Sequence, residues 1–198
     1  MPPAIQIARL LRAGTTGFVA GCRVDQVDVP AFGALVRAPV DADYQVFGLI
    51  TDIHIDDDGL VRQLVTADRV SDEVLRDNRE RRIVPLEVSV LAVGYEQGGR
   101  IYHMLPPRPP LSLDSVYLCD DHDLVRFTSA GRLGYFRHIL RAEDITVAEV
   151  LAAHLQQATA AHREGLPWKD SAVRELIGLL RDDYATLTSV LRAINEVV

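Results

Sequence analysis

Residues 45–53 read Gln45-Val46-Phe47-Gly48-Leu49-Ile50-Thr51-Asp52-Ile53, and this short run is the strongest single indication of the fold. Its β-branched and aromatic residues favour a strand. A glycine inside such a strand marks a β-bulge or a sharp bend at a barrel corner. The run therefore predicts a long, bent strand over Tyr44–Ile55 in a small β-barrel.

Similar strand patterns flank this run on both sides. Two glycine-containing turns, Asp58-Gly59 and Gln97-Gly98-Gly99, predict tight hairpins between neighbouring strands. Short strands with closely spaced turns favour a closed or nearly closed barrel over a βαβ fold. The predicted strands are Thr15–Val24, Gly33–Ala38, Tyr44–Ile55, Ile83–Tyr95, Arg100–His103 and Ser115–Cys119.

One helix is predicted inside the barrel sequence, over Val70–Arg82. Ser71 is a suitable N-cap, with acidic residues in the first turn and arginines near the end. The arginines form the densest basic patch of the chain, which suits either a phosphate backbone or an acidic partner surface. The alternative is a solvated helix face paired with nearby acids. The candidate contact residues are Arg76, Arg79, Arg81 and Arg82.

From Asp123 onward the apolar period becomes helical, which predicts a tail of three to four helices. Thr146 is a candidate N-cap with Glu149 at the capping-box position, and Asp170 or Ser171 is the candidate cap of the next helix. The fold class is therefore α+β, with a barrel domain at 1–125 and a helical domain at 126–198. The helices either bury their apolar faces internally or offer them to other molecules. The candidate oligomer contacts are Leu176, Leu180, Leu187 and Leu191.

Composition places the chain among ordinary soluble proteins. Its 198 residues are 48% hydrophobic and 25% charged, and the net charge is −7. Phosphate binding needs positive potential, so the acidic balance argues against direct, strong nucleic-acid binding. No apolar run reaches the roughly 20 residues of a membrane span, and no basic leader opens the chain. We expect a cytoplasmic protein with its two cysteines, Cys22 and Cys119, reduced.

The chain carries no pattern typical of catalysis. It has no phosphate-binding G-x-x-x-x-G-K-[ST] loop, and its single lysine, Lys169, lacks the surrounding glycines. Two clusters, His54–Gly59 and Cys119–Asp123, contain possible metal ligands, but neither has the spacing of a calcium loop or a complete zinc site. A hairpin tip and a strand end followed by a helix cap explain them as well. We therefore expect no enzyme activity, no cofactor and no metal.

One segment resembles a known domain. Pro85 to Tyr95 leads through a glycine turn to Leu105-Pro106-Pro107-Arg108-Pro109-Pro110, then to Asp114–Leu118 and the acidic 120–124. Together with 47–53, this is similar to the HAS-barrel that opens HerA-type translocases and matches the crown of rotary ATP synthases in shape. The resemblance covers roughly residues 14–125.

The resemblance implies a role in assembly. In that family the barrel forms rings and contacts a partner nuclease, whereas ATP hydrolysis belongs to a motor domain with a phosphate loop, which this sequence does not contain. The expected function is a non-catalytic, oligomeric interaction module that joins or regulates a HerA-type ATPase or nuclease in DNA processing. The alternatives are a nucleic-acid-binding barrel that uses the arginine-rich helix and a small metal-dependent hydrolase.

Overall fold

The computed structural model of the protein describes residues 5–23, 30–55 and 85–197. Seven strands form one antiparallel sheet within this part of the chain. Because they are mostly short and alternate buried with exposed residues, they fit a sheet with one face turned to a core. The strands are β1 (Gln6–Ala13), β2 (Gly17–Arg23), β3 (Leu35–Asp41), β4 (Tyr44–Ile55), β5 (Pro85–Gln97), β6 (Arg100–Tyr102) and β7 (Ser115–Leu118).

The sheet closes on itself. Its strand order is β2-β1-β7-β3-β4-β5-β6, and an additional pairing joins β2 to β5. Six strands therefore form the barrel, and β6 extends β5 as a seventh strand outside the closed ring. The predicted α+β fold with a small closed barrel followed by helices is confirmed.

The long strand β4 bends as the glycine predicted. Its register with β5 shifts between Phe47 and Gly48 and again between Ile50 and Asp52. A Cβ on Gly48 would lie 2.3 Å from Val90 Cγ1 and 2.9 Å from the Leu91 carbonyl oxygen. Glycine is needed here because the two strands approach too closely for a side chain.

Strand β1 was not predicted. Its sequence, Gln-Ile-Ala-Arg-Leu-Leu-Arg-Ala, is rich in helix-favouring alanine, leucine and arginine. A register shift between Leu10 and Arg12 also breaks the alternation that would mark a strand. Pairing with β2 on one side and β7 on the other overrides this local preference.

The two predicted hairpin turns have different outcomes. Gly98 and Gly99 join β5 to β6 with φ of 57° and 75°, the left-handed values of a two-residue hairpin turn that glycine adopts without strain. The Asp58-Gly59 turn lies outside the described residues. The predicted helix Val70–Arg82 also lies outside them.

The proline-rich segment from Met104 to Leu113 joins β6 to β7 without strand or helix structure. The hydroxyl of Tyr44 donates to the carbonyl oxygen of Arg108 at 2.7 Å, and the Arg108 guanidinium lies over the Tyr44 ring and pairs with Asp41. Pro106 and Pro110 are buried. The segment is therefore fixed on the β3–β4 turn.

Replacing Pro107 and Pro109 together by glycine is expected to lower the free energy of unfolding by about 1–2 kcal/mol. The reason is entropic, since glycine widens the range of conformations that the unfolded segment samples. Urea unfolding of the double variant and the wild type measures the difference. An unchanged midpoint would contradict a structural role for the segment and mark it as a free loop.

Five α-helices follow the barrel in the described residues, with a 3₁₀ turn at Gly131–Leu133 after the first. Two caps differ from the prediction. Thr146 precedes α3 as predicted, but its side chain makes no cap hydrogen bond, and α4 begins at Leu166 after Gly165, not at Asp170 or Ser171. The helices are α1 (Asp121–Ser129), α2 (Phe136–Leu140), α3 (Val147–Ala161), α4 (Leu166–Leu179) and α5 (Tyr184–Glu196).

Two clusters of buried side chains form the core of the described part of the chain. One fills the barrel and includes Leu10, Val46 and Ile50. The other joins the outer face of the barrel to the helices, with Phe47 of β4 and Phe127 of α1 among its members. The barrel and the helical tail thus share a common apolar interface. None of the helices described is long and apolar enough to cross a membrane.

Candidate functional site

The residues predicted to contact partners include some that lie outside the described part of the chain, some that are buried and some that are partly exposed. The four arginines of the predicted helix, Arg76, Arg79, Arg81 and Arg82, lie outside the described residues. Leu176 and Leu180 are buried in the core of the chain itself, so the interpretation of these two as oligomer contacts is corrected. Leu187 and Leu191 on α5 are half-buried and keep part of their surface.

One of the two candidate metal clusters has a structural explanation in the described residues, and most of the other lies outside them. His54 Nδ1 lies 3.1 Å from Asp52 Oδ2 on the outside of β4, and the remainder of that cluster, 56–59, lies outside the described part. One ligand atom from each of Asp120, His122 and Asp123 lies within 4.8 Å of the others. However, Asp120 caps α1 by accepting the Asp123 N–H at 2.8 Å, as the helix-cap alternative predicted. Asp123 also pairs with Arg37 at 3.0 Å.

The cysteine beside this cluster is partly buried and packs against the apolar core that the barrel and the helices share. Burial raises the pKa of the Cys119 thiol well above its ordinary value, and the Asp123 carboxylate acts in the same direction. A raised pKa lowers the thiolate fraction at neutral pH and so weakens the thiol as a nucleophile. Cys119 therefore serves packing.

A polar network joins α1 to the outer face of the barrel. Arg37 donates to Asp123 and, at 3.3 Å, to the Gln45 side-chain oxygen, and the Gln45 amide donates to Glu96 at 2.6 Å. Arg126 completes the network by pairing with Glu96, a buried residue. Because a buried carboxylate is stable only with such partners, the network is best explained as a clamp between α1 and the sheet.

Histidines and aromatic rings fill the junction between barrel and helices. The ring centroids of His103 and Phe127 are 4.7 Å apart, and those of Phe127 and Tyr135 are 5.1 Å apart. The Tyr135 hydroxyl lies 2.8 Å from Nε2 of His154, which is fully buried. These distances are typical of packed aromatic pairs, so the cluster stabilises the junction.

Acidification is expected to weaken this junction. Burial lowers the pKa of His154 from its ordinary 6.5 to about 4. As the pH falls below 6.5, the unfolded chain binds a proton that the folded chain does not bind until about pH 4, so stability declines across this window. From pH 7 to 5 the loss is about 2 kcal/mol. Urea unfolding at pH 7, 6 and 5 measures it.

One substitution separates the contribution of His154 to this pH dependence from that of the other titrating groups. His154→Gln should flatten the pH dependence, although it also lowers stability at pH 7. The slope that remains in this variant belongs to the other titrating groups, among them His103 and His138, whose pKa values are also lowered by burial. Equal slopes for wild type and His154→Gln would contradict the assignment.

An exposed apolar turn lies where the proline-rich segment meets β1. We call Leu111–Asp114 the leucine turn. The Asp114 N–H donates to the Leu111 carbonyl oxygen at 3.1 Å, and the Leu113 N–H donates to the Leu10 carbonyl oxygen at 2.8 Å. Leu111 is 66% exposed and Leu113 is 70% exposed, and Leu11 on the adjacent β1 is 46% exposed. Three leucines thus meet solvent from two neighbouring segments.

The backbone of the leucine turn is strained. Leu113 has φ of 73°, whereas Ser112 has no positive φ, so the turn is of type II with leucine at the position that normally requires glycine. Left-handed backbone costs a side chain such as leucine about 1–2 kcal/mol. A bulky residue kept in this geometry at the surface is a candidate contact residue.

A groove lies on the outside of the sheet, between the β1–β2 hairpin and the start of α3. We call it the hairpin groove. Its volume is about 400 Å³, and apolar side chains from β2, β5 and the loop before α3 line much of it. Hydroxyl groups and one arginine complete the lining. Its lining includes Arg12, Thr16, Val19, Ser89, Leu91 and Ile145.

Comparison with protein-family models and with curated proteins finds no match to either. The resemblance to the HAS-barrel therefore stays a prediction from the residues that carry it. The leucine turn and the hairpin groove were missed in the sequence. Two leucines separated by one polar residue directly after a proline run are the signal that points to the turn.

Proposed function

We propose that the protein is a non-catalytic assembly module of the HAS-barrel kind, which joins or regulates a HerA-type ring ATPase or an associated nuclease in DNA processing. The observation that carries the proposal is the leucine turn. Its exposed leucines are held in a strained backbone on the barrel, an arrangement that costs stability in the free protein and that burial against a partner would offset.

The surrounding chemistry supports binding over catalysis. In the described residues, His103 and His154 are buried in the aromatic junction, and Glu96 belongs to the α1 clamp. Burial raises the pKa of the Cys119 thiol, which lowers its thiolate fraction. These groups are engaged in packing and are poorly placed to meet a substrate.

The test mixes the purified full chain with a HerA-type ATPase and with the associated nuclease of the same organism. We expect co-elution in size-exclusion chromatography and a change in ATPase or nuclease activity, while calorimetry of the chain alone with ATP gives no binding. A chain that joins neither protein, leaves both activities unchanged and is monomeric would overturn the proposal. Micromolar ATP affinity of the chain alone would do the same.

The nucleic-acid alternative has a separate readout. Fluorescence anisotropy with labelled duplex DNA at low and at high salt detects a basic contact surface by a steep loss of affinity as salt rises. We expect weak binding at both salt concentrations, because the net charge is −7. Strong binding with a steep salt dependence would favour the arginine-rich helix as a phosphate contact.

A further inference from the structure

We propose that the leucine turn of one copy of the chain inserts into the hairpin groove of a second copy. The inference rests on the proposed assembly function and names the surfaces through which the module contacts itself. Both halves of the contact lie on the described part of one chain, so no other protein is needed to complete it.

The leucine turn is both strained and rigid. Glycine at 113 would adopt a φ of 73° without cost, yet the chain has leucine there and exposes 70% of it. The turn is also held rigidly, because Asp114 Oδ2 accepts the Leu111 N–H at 2.8 Å and Arg9 donates to the Leu113 carbonyl oxygen at 3.1 Å. A rigid apolar protrusion loses little conformational entropy when it binds.

The hairpin groove has the size and the lining to receive a leucine side chain. Its 400 Å³ exceeds the space of one leucine side chain, and Val19, Leu91 and Ile145 give it apolar walls. Each of these three residues is half-buried, so each retains area that a partner can cover. An apolar protrusion and an apolar groove on the same chain are complementary in shape and chemistry.

Charged side chains flank both the leucine turn and the hairpin groove. Exposed Arg9 lies beside the leucine turn, while the exposed acids Glu143 and Asp144 directly precede Ile145 of the groove. The turn also contains the acidic Asp114, and the basic Arg12 lines the groove. Each surface therefore carries charges that the other can pair with, so insertion of the turn leaves no charged group facing one of like sign only.

The contact joins two different surfaces. Such a contact closes as a symmetric pair or a ring where the geometry permits, and otherwise propagates. The proposed occupant of the groove is a second copy of the chain. The test must distinguish this contact from binding of an apolar segment of another protein.

The test is light scattering and sedimentation of the full chain over a range of concentrations. The turn variant is Leu111→Asp with Leu113→Asp, and the groove variant is Ser89→Arg, which places a long charged side chain on the groove floor. Each is expected to weaken self-association by about tenfold or more, because a charge would enter an apolar contact. Leu166→Asp, at an apolar position on α4 that is 61% exposed, is the control and should leave self-association unchanged.

Mixing is the decisive measurement. The turn variant keeps an intact groove and the groove variant keeps an intact turn, so an equimolar mixture should form mixed assemblies that neither variant forms alone. Leu113→Gly distinguishes a contact residue from a purely structural one, because its effects on stability and on association should be opposite. It should raise the melting temperature by relieving the left-handed backbone and at the same time weaken association.

Several outcomes overturn the inference. The inference is wrong if the wild-type chain stays monomeric at high concentration. It is also wrong if the turn and groove variants associate as strongly as the wild type. Variants that lose association but do not recover it on mixing indicate contact between like surfaces. If the chain binds the ATPase or nuclease while remaining monomeric, this inference fails and the assembly function stands. If the chain self-associates but joins neither protein, the proposed assembly with an ATPase or nuclease fails and the contact between copies stands.

Discussion

Replacing Phe127 by alanine is expected to lower the free energy of unfolding by about 3–5 kcal/mol, the usual cost of removing a buried phenylalanine. Phe127 is fully buried, and its ring centroid lies 4.9 Å from that of Phe47 on β4 and 4.7 Å from that of His103. The substitution therefore removes packing at the point where α1 meets the barrel, and leaves a cavity between the two parts.

Urea unfolding followed by far-ultraviolet circular dichroism and by the fluorescence of Trp168, on α4, measures this effect. The two signals should shift together, since barrel and helices share the apolar cluster that contains Phe127. Phe127→Leu, which retains most of the volume, is the matched control and should cost less than half as much. Separate transitions for the two signals would show that unfolding is not two-state.

Gly33→Ala is expected to cost about 2–4 kcal/mol, and two effects contribute. Gly33 has φ of 77°, which penalises a side chain, and a Cβ there would lie 2.6 Å from the Ala153 Cβ and 2.9 Å from the His154 backbone nitrogen on α3. The glycine lets the backbone before β3 lie directly against α3, so alanine forces the helix away from the barrel.

Gly99→Ala separates the two effects. Gly99 has φ of 75°, almost equal to that of Gly33, but no atom of the described residues lies within 4 Å of the position that an alanine methyl group would take. It should cost only the backbone strain, about 1–2 kcal/mol. Thermal and urea unfolding of both variants give the comparison. Equal losses at the two positions would show that contact with α3 adds nothing.

Local patterns were sufficient for much of the fold. The bend of β4 at Gly48, the Gly98–Gly99 turn and the apolar stripe of α3 depend on residues close together in the chain, so the sequence indicates them directly. Strand β1 depends on pairing with β7, roughly a hundred residues further along. Nothing in its own helix-favouring composition signals that pairing, which explains why it was missed.

The candidate site was less predictable for a similar reason. Leucines at helical spacing on α4 suggested a contact surface, but Leu176 and Leu180 turn toward the core, a direction that periodicity alone cannot assign. The leucine turn has no periodic pattern. Its position beside Leu10 and Leu11 follows from the path of the proline-rich segment across the β3–β4 turn, which is a tertiary feature.

The closure of the barrel also bears on how fast the protein folds. The seam between β1 and β7 pairs Arg9 with Ser115, and a second long-range seam pairs Gly17 with Leu91. Closing the long loops between these paired strands costs chain entropy before either pairing adds stability. Folding on the scale of milliseconds to seconds is therefore expected, as for other domains built on non-local strand pairing.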